Sequence, residues 1–276
     1  MPGVDADKTL GALLGHAVGE MLGRGPGDGA PGTQMAFRLA DSLIARGGFD
    51  PDDALSAYVS WFGTKPEGLD PATAEVLRRI SAGADSYAAT SIVAQSGGGP
   101  TALTRSLPIA IAFAGHDTGL RDATVADAAL TDYDPLAGKA ALLLNQSVAL
   151  LVTGGPRALS NSLQDPLEID DRLQDVVLPA IGGVRTIAED LAPREPHSVV
   201  TPIAVAFAAY FTFDSFEPAV EWAVNVGGDA AACGAITGAL VGARFGATHV
   251  PVGWVERLES RAQVERLHAG LLQLAG

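Results

Sequence analysis

The apolar positions along the chain repeat with the period of an α-helix over most of its length. The first stripe has the spacing i, i+3, i+4, i+7 and i+8 and consists of Leu10, Leu13, Leu14, Ala17, Val18, Met21 and Leu22. Later stripes predict helices over about 35–44, 55–62, 76–80, 103–114, 136–151, 169–191, 200–212, 216–224, 229–245 and 253–273. We expect the helix over 169–191 to kink at Pro179 and Gly182.

Residues typical of helix boundaries separate these stripes. The pairs Asp50-Pro51 and Asp70-Pro71 each place an N-cap carboxylate before a proline at the first helical position. Alternating apolar and polar residues between hairpin turns, the pattern of β-strands, are absent. The chain is therefore predicted to be all-α. Its uniform composition, without a linker, charge run or fixed-period repeat, predicts a single domain over residues 1–276.

Composition and charge exclude several classes of protein. The chain has 18 Lys and Arg against 32 Asp and Glu, a net charge of −14, whereas nucleic-acid binding needs basic residues to neutralise phosphates, so no nucleic-acid partner is expected. No uninterrupted apolar run reaches about 18 residues, which predicts no membrane span. The amino terminus does not resemble a secretory signal, and we expect a cytoplasmic protein. One cysteine, Cys233, excludes an internal disulfide.

Motifs taken singly indicate little chemistry. Residues 27–32 fit the pattern GxGxxG, but they follow a predicted helix rather than a strand, which argues against a dinucleotide site. A more distinctive segment begins at Asn225, where Gly227 and Gly228 form a turn that leads into a helix at Asp229. The Asp229 carboxylate can cap that helix, and free N–H groups at a helix amino terminus can hold an anion. Alone, the segment is better interpreted as a simple N-cap whose small residues pack closely.

Seven segments, in order and over nearly the whole chain, resemble the ADP-ribosylglycohydrolase family, which includes the dinitrogenase-reductase-activating glycohydrolase and the J1 crystallins. They are residues 11–23 (GALLGHAVGEMLG), 33–36 (TQMA), 96–108, 130–135, 200–202, 216–220 and 225–239. The resemblance implies the family's single orthogonal multi-helix all-α domain. It also implies a site at which family enzymes hold two magnesium or manganese ions over the ribose of ADP-ribose.

The family's metal-ligand residues are largely missing from this chain. In the family, the ligands come from the Thr-Asp-Asp of a TDDT segment and from both aspartates and the last threonine of GGDTDT. By resemblance, these six positions are Ala30, Pro31, Gly32, Asp229, Ala231 and Ala232. Two close dications need several anionic oxygen ligands, and only Asp229 offers a side-chain oxygen. We therefore expect no metal cofactor, and Asp28 from the preceding loop would still leave the ligand set too small.

Other departures fall at positions that the resemblance assigns to the substrate site. The Asn and Gly of the family's GNGALMR are Pro100 and Thr101, while Arg105 is retained. The family histidine in THPHP is Asp132, and Glu20 stands where the family has Asp. The predicted ligand-binding residues are Glu20, Gly99, Thr101, Arg105, Asp132, Asn225, Gly227, Gly228 and Asp229.

The leading hypothesis is a pseudoenzyme that keeps the family fold without its metal-dependent hydrolysis. It would bind ADP-ribose or another small ligand, with Arg105 on a phosphate, or act as a regulatory or scaffold protein with a protein partner, as the J1 crystallins suggest. One alternative is a metal-independent enzyme in which Glu20, Asp132 and Asp229 converge for acid–base catalysis. A weaker alternative is metal-dependent hydrolysis with another ligand set. Purely structural roles stay open, such as an ion pair for Arg105 or solvent exposure for Glu20.

Overall fold

The computed structural model describes residues 3–25, 30–93, 99–163 and 170–275. Within these ranges the chain is helical and has no β-strand, which confirms the all-α prediction. The amino-terminal part contains α1 (Ala6–Arg24), α2 (Pro31–Arg46), α3 (Pro51–Phe62), α4 (Pro71–Ser81), α5 (Ser86–Val93), α6 (Thr101–Arg105), α7 (Leu107–Ala112), α8 (Asp117–Ala129) and α9 (Pro135–Gly154). The remainder contains α10 (Pro156–Ser162), α11 (Asp171–Ile181), α12 (Thr186–Arg194), α13 (Val200–Thr212), α14 (Phe216–Asn225), α15 (Ala230–Phe245), a 3₁₀ turn (Ala247–His249), α16 (Val252–Glu256) and α17 (Arg261–Leu274).

The predicted helix starts lie where the sequence placed them. The Asp50 carboxylate accepts the backbone N–H groups of Asp52 and Asp53 at the start of α3. The Asp70 carboxylate accepts the N–H of Thr73 at 2.9 Å at the start of α4. Both aspartates therefore satisfy helix-terminal donors that would otherwise lack a partner.

Some of the predicted helices are divided in two. The segment expected to kink near Pro179 is instead broken into α11 and α12. Gly183 adopts φ = +78°, a left-handed conformation that ends a helix, and Pro179 has no N–H to continue the ladder. The helix predicted over 103–114 is divided at Ser106 into α6 and α7, and that over 253–273 into α16 and α17. Ile169, at the predicted start of the kinked helix, lies outside the described residues.

The helices α1 and α15 run antiparallel with their backbones in contact. A Cβ added at Gly15 would lie 2.1 Å from the Gly238 carbonyl oxygen, and one at Gly19 would lie 2.0 Å from that of Gly234. Side chains at these positions would separate the two helices, so glycine is required by the close approach. The pairing places the carboxyl end of α1 beside the amino end of α15.

An apolar core of buried side chains surrounds this pair and includes residues from Ala12 to Leu271. By length and composition, helix α9 is long and apolar enough to cross a membrane. The sequence did not predict this, because only an uninterrupted apolar run was expected to mark a membrane span. However, 78% of its apolar window is buried inside the protein. Such burial is typical of the central helix of a soluble protein.

Candidate functional site

A cavity of about 500 Å³ lies where the carboxyl end of α1 meets the amino ends of α2, α4, α6 and α15. Its walls include Glu20, Arg24, Pro31, Gly32, Asp70, Pro71, Thr101, Thr104, His197, Gly228, Asp229, Ala231 and Ala232. The antiparallel pairing of α1 and α15 brings Glu20 and Asp229 to the same wall, although 209 residues separate them in sequence (229 − 20). Because several helices begin here, backbone N–H groups and positive helix-dipole ends are concentrated around the cavity.

Glu20 is buried, with 4% of its surface exposed, and its carboxylate caps a neighbouring helix. Its Oε1 accepts the N–H of Gly32 at 3.0 Å, and its Oε2 accepts both the N–H and the hydroxyl of Thr33 at 2.6 Å. Ala30, the N-cap residue of α2, has no side-chain cap of its own. The Glu20 carboxylate therefore does from α1 what an N-cap side chain would do for α2. The alternative of a solvent-exposed Glu20, left open by the sequence, is wrong.

A buried histidine lies beside this carboxylate. His16 Nε2 donates to the Thr104 carbonyl oxygen at 2.7 Å, and Nδ1 lies 3.3 Å from the Thr33 hydroxyl. Burial lowers the pKa of His16 to about 4, so the ring is neutral near pH 7. Burial also raises the pKa of Glu20, against the opposing effect of its bonds from Thr33 and Gly32. Thr33 and His16 therefore support the cavity wall from behind, a role that the sequence did not predict.

Asp229 lines the cavity and caps α15, as the glycine turn before it predicted. Its Oδ1 accepts the N–H of Ala232 at 3.0 Å. Gly228, with φ = +72°, also lines the cavity, whereas Gly227 lies against Pro193 outside it. Asn225 is exposed, and its amide donates to the Glu221 carbonyl at 2.7 Å, so the structure does not bring it into the cavity.

Asp70 also lines the cavity, although its sequence context predicted only the start of a helix. Besides capping α4, its Oδ2 accepts the hydroxyl of Thr101. Gly99 lies against the same carboxylate, since an added Cβ would be 2.5 Å from Asp70 Cγ. Asp70, His197 and Asp229 also line an adjoining cavity of about 540 Å³, which Gly99 borders. The two cavities together form one cleft with Asp70 between them.

The expected contact of Arg105 with a phosphate is not what the structure shows. Arg105 is fully buried at 0% exposure, and its Nε donates to Asp127 Oδ2 at 3.0 Å. Its other donors bond the Thr131 hydroxyl and the Asp127 carbonyl, each at 2.6 Å. The Tyr58 ring covers the guanidinium at 4.7 Å, and the Tyr58 hydroxyl donates to Asp127. Arg105 therefore holds α6 to α8 through an ion pair, the structural role considered as its alternative.

The three carboxylates proposed to converge do not do so. Glu20 and Asp229 share the cavity, but Asp132 lines a different one, between α8 and α9. Asp132 follows the end of α8, and its Oδ1 accepts the N–H of Asp134 at 3.0 Å. The hypothesis that Glu20, Asp132 and Asp229 converge for acid–base catalysis is therefore wrong.

The described residues do not fit a two-metal cluster. Of the six positions that the family resemblance assigns to ligands, Pro31, Gly32, Asp229, Ala231 and Ala232 line the cavity. Only Asp229 among them carries a side-chain oxygen, and the described residues contain no group of three or more His, Cys, Asp or Glu able to hold a metal. There is also no room for a side chain at position 32, since a Cβ there would lie 2.7 Å from the Thr104 hydroxyl. Asp28, with the rest of residues 27–29 of the GxGxxG segment, lies outside the described residues.

The described residues form an all-α fold with two antiparallel glycine-rich helices at its centre. A cleft lies where several helices begin, which places the protein among the all-α proteins with an interhelical cleft. The sequence model of the ADP-ribosylglycohydrolase family matches residues 1–276. The chain belongs to the ADP-ribosylglycohydrolase family, as its motifs predicted.

Relatives and a solved structure agree with this assignment. The chain is 27% identical to the ADP-ribosyl-[dinitrogen reductase] glycohydrolase of Rhodospirillum rubrum, covering 98% of this chain and 97% of that protein. It is 24% identical to the ADP-ribosylarginine hydrolase Tri1 of Pseudomonas putida (strain GB-1), covering 98% and 79%. The solved structure of an ADP-ribosylglycohydrolase-related protein complex superposes with a TM-score of 0.81 at 28% identity, covering 98% and 99%.

Proposed function

We propose that this chain is a metal-free member of the family that binds an ADP-ribose-like ligand and does not hydrolyse it. One observation carries the proposal: five of the six inferred ligand positions have no side-chain oxygen, although five of the six line the cavity. In family enzymes the two dications supply charge stabilisation at the ribose. A cavity with Asp229 as its only inherited ligand lacks the means to hold them.

The other carboxylates of the cavity do not make up the deficit. Both oxygens of Glu20 are occupied by donors from the start of α2, and both oxygens of Asp70 accept bonds from Thr73 and Thr101. A metal at either carboxylate would have to displace these donors and leave helix-terminal N–H groups without a partner. The same bonds hold Glu20 and Asp70 away from acid–base work on a ligand.

The cleft retains what a small anionic ligand needs. Its two lobes, of about 500 and 540 Å³, are within the usual size range of small-molecule sites. The start of α15 supplies the N–H groups of Ala230 and Ala231, which the Asp229 side chain does not cap, and Arg24 and His197 supply basic side chains at the wall. The Arg24 guanidinium donates to the Gly68 carbonyl at 3.4 Å, which places it along the rim. The names of the two relatives refer to ADP-ribosylated substrates, which supports ADP-ribose as the ligand class.

Titration calorimetry on the purified chain tests the proposal. Magnesium chloride is titrated first, and ADP-ribose is then titrated with magnesium and with EDTA. We expect no magnesium uptake and equal ADP-ribose affinity in both buffers, with stabilisation that follows RT ln(1 + [L]/Kd). Micromolar binding of two magnesium ions would overturn the metal-free assignment.

Two further measurements complete the test. Asp229→Asn keeps a good N-cap residue but removes the carboxylate charge, so it separates capping from ligand binding. Incubation with ADP-ribosylated arginine should release no ADP-ribose in the presence of magnesium. Release that depends on magnesium would contradict the proposal, and a folded protein without any response to ADP-ribose would contradict its ligand and favour a regulatory or scaffold role.

A further inference from the structure

A cavity of about 520 Å³, separate from the cleft described above, lies between α8 and α9. The proposed function does not use it. Its apolar surface is contributed by Val125, Ala128, Pro135 and Leu142. Gly138 also lines this cavity, at a point where α9 packs closely on α8: an added Cβ would be in ordinary contact with Ala128 Cβ at 3.6 Å and Val125 Cα at 3.9 Å. A cavity of this size with a mainly apolar wall and few polar groups is suited to a small organic molecule.

Asp132 is the partly buried charge in this cavity, and it has no ion-pair partner within the described chain. Its Oδ1 accepts the N–H of Asp134, and none of the residues that the structure describes gives Oδ2 a hydrogen bond or an ion pair. The nearby buried cation, Arg105, has its donors committed to Asp127 and Thr131. Burial raises the pKa of Asp132 to about 6, so the group is mainly ionised at pH 7.5 without a compensating cation.

Exposed aromatic and aliphatic side chains surround the mouth beside Asp132. Tyr133 and Val125, which line the cavity, are each 46% exposed. The ring of Tyr87, 70% exposed, lies 6.0 Å from that of Tyr133. Large apolar side chains grouped at a cavity mouth are typical of binding surfaces, and tyrosine faces attract organic cations.

The other charges of the cavity leave Asp132 available. Lys139 lies 3.3 Å from Asp170 and is committed to that carboxylate. Arg121 lines the same cavity from α8, and among the described residues it makes no ion pair or hydrogen bond with Asp132. The Asp134 carboxylate caps α9 by accepting the N–H of Leu136.

We propose that the α8–α9 cavity is a binding site for a small organic amine, whose ammonium group pairs with Asp132 and whose apolar body lies against Val125 and Tyr133. The amine would supply the charge partner and the hydrogen-bond donor that Asp132 lacks. Its apolar part would cover side chains that are now exposed to water.

The test uses three probes with one ring and different charge: benzylamine, benzyl alcohol and benzoate, each titrated into the full chain at pH 7.5 and followed by ligand-observed NMR. We expect saturable binding of benzylamine and much weaker binding of the other two. Asp132→Asn keeps the shape and the bond to Asp134 but removes the charge, and it should weaken benzylamine binding by about 10-fold or more. Leu142→Trp, which fills the apolar wall, should also weaken it.

Two matched variants control for general charge effects. Asp122→Asn removes an exposed carboxylate of α8 outside the cavity, and Asp229→Asn removes one in the cleft; both should leave benzylamine affinity within about 2-fold of wild type. Benzoate binding as tightly as benzylamine, unchanged affinity in Asp132→Asn, or no saturable binding of benzylamine would each overturn the proposal. Thermal unfolding of every variant establishes that it is folded before titration.

Discussion

Two hydrogen bonds of 2.6 Å join Glu20 to Thr33: the same carboxylate oxygen accepts the backbone N–H and the side-chain hydroxyl. With the bond from Gly32 to its other oxygen, Glu20 connects α1 to the amino end of α2. These bonds fix the wall of the cleft beside positions that the family resemblance assigns to metal ligands. The carboxylate is thereby a structural group at a position that resemblance assigns to function.

Replacing Glu20 by Gln should therefore reduce stability. The amide presents an N–H₂ group to donors that now meet a carboxylate, and buried donors without an acceptor cost about 1–3 kcal/mol. Urea unfolding measures the loss, with the exposed Glu259→Gln as the control that should match wild type. If Glu20→Gln were as stable as wild type but failed to bind ligand, Glu20 would be a ligand-contacting group rather than a cap.

Alanine at Gly19 should be strongly destabilising even though alanine favours helices. Its Cβ would lie 2.0 Å from the Gly234 carbonyl oxygen, and two backbones would have to move apart. We expect a cost of more than about 3 kcal/mol, above the usual cost of overpacking.

Gly138→Ala is the matched control for this helical substitution. Its Cβ would meet Ala128 at an ordinary distance of 3.6 Å, so the gain in helix propensity, about 0.5–1 kcal/mol, should appear as added stability. Denaturant midpoints of the two variants should therefore move in opposite directions. Equal effects would show that α1 and α15 are not in backbone contact.

Much of the fold was predictable because its signals are local. The apolar stripes and the Asp-Pro pairs at residues 50 and 70 fixed the helices and their starts. The contact between α1 and α15 was not predictable. Glycines recur every four residues in both segments, but this spacing does not show which helix each segment packs against. Breaks inside predicted helices were also underestimated, since Gly183 ends α11 where a kink was expected.

Arg105→Met should destabilise the protein by about 3–5 kcal/mol, because it leaves the buried Asp127 carboxylate without its cation. The exposed pair of Arg78 and Glu75 provides the control, and Arg78→Met should change the unfolding free energy little. Where Arg105→Met folds at low temperature, its ADP-ribose affinity should equal that of wild type. Selective loss of ligand binding with normal stability would instead place Arg105 in the binding site.

The roles of single site residues were less predictable than the fold. The sequence does not show whether the retained motif residue Arg105 contacts a phosphate or a carboxylate in the core. Its actual partner, Asp127, is on another helix. Asp132 likewise aligns with a substrate histidine but lines a different cavity from Asp229. Asp229 itself was placed correctly, because an N-cap after a glycine turn is determined by neighbouring residues.

The stability of the protein should depend on pH through Asp132. Its pKa is raised by burial from 3.8 to about 6, with Asp134 and Asp70 adding to the shift and Arg105 opposing it. Because the folded value lies above the unfolded one, its stabilising contribution is complete below about pH 4 and is lost as the pH rises through about 6. Asp132→Asn should match wild type near pH 4 and be more stable at pH 7.5, by about 1 kcal/mol after discounting for solvent exposure. Urea unfolding of both proteins across this range measures the difference, and a gap that does not change with pH would refute the assignment of the shifted group.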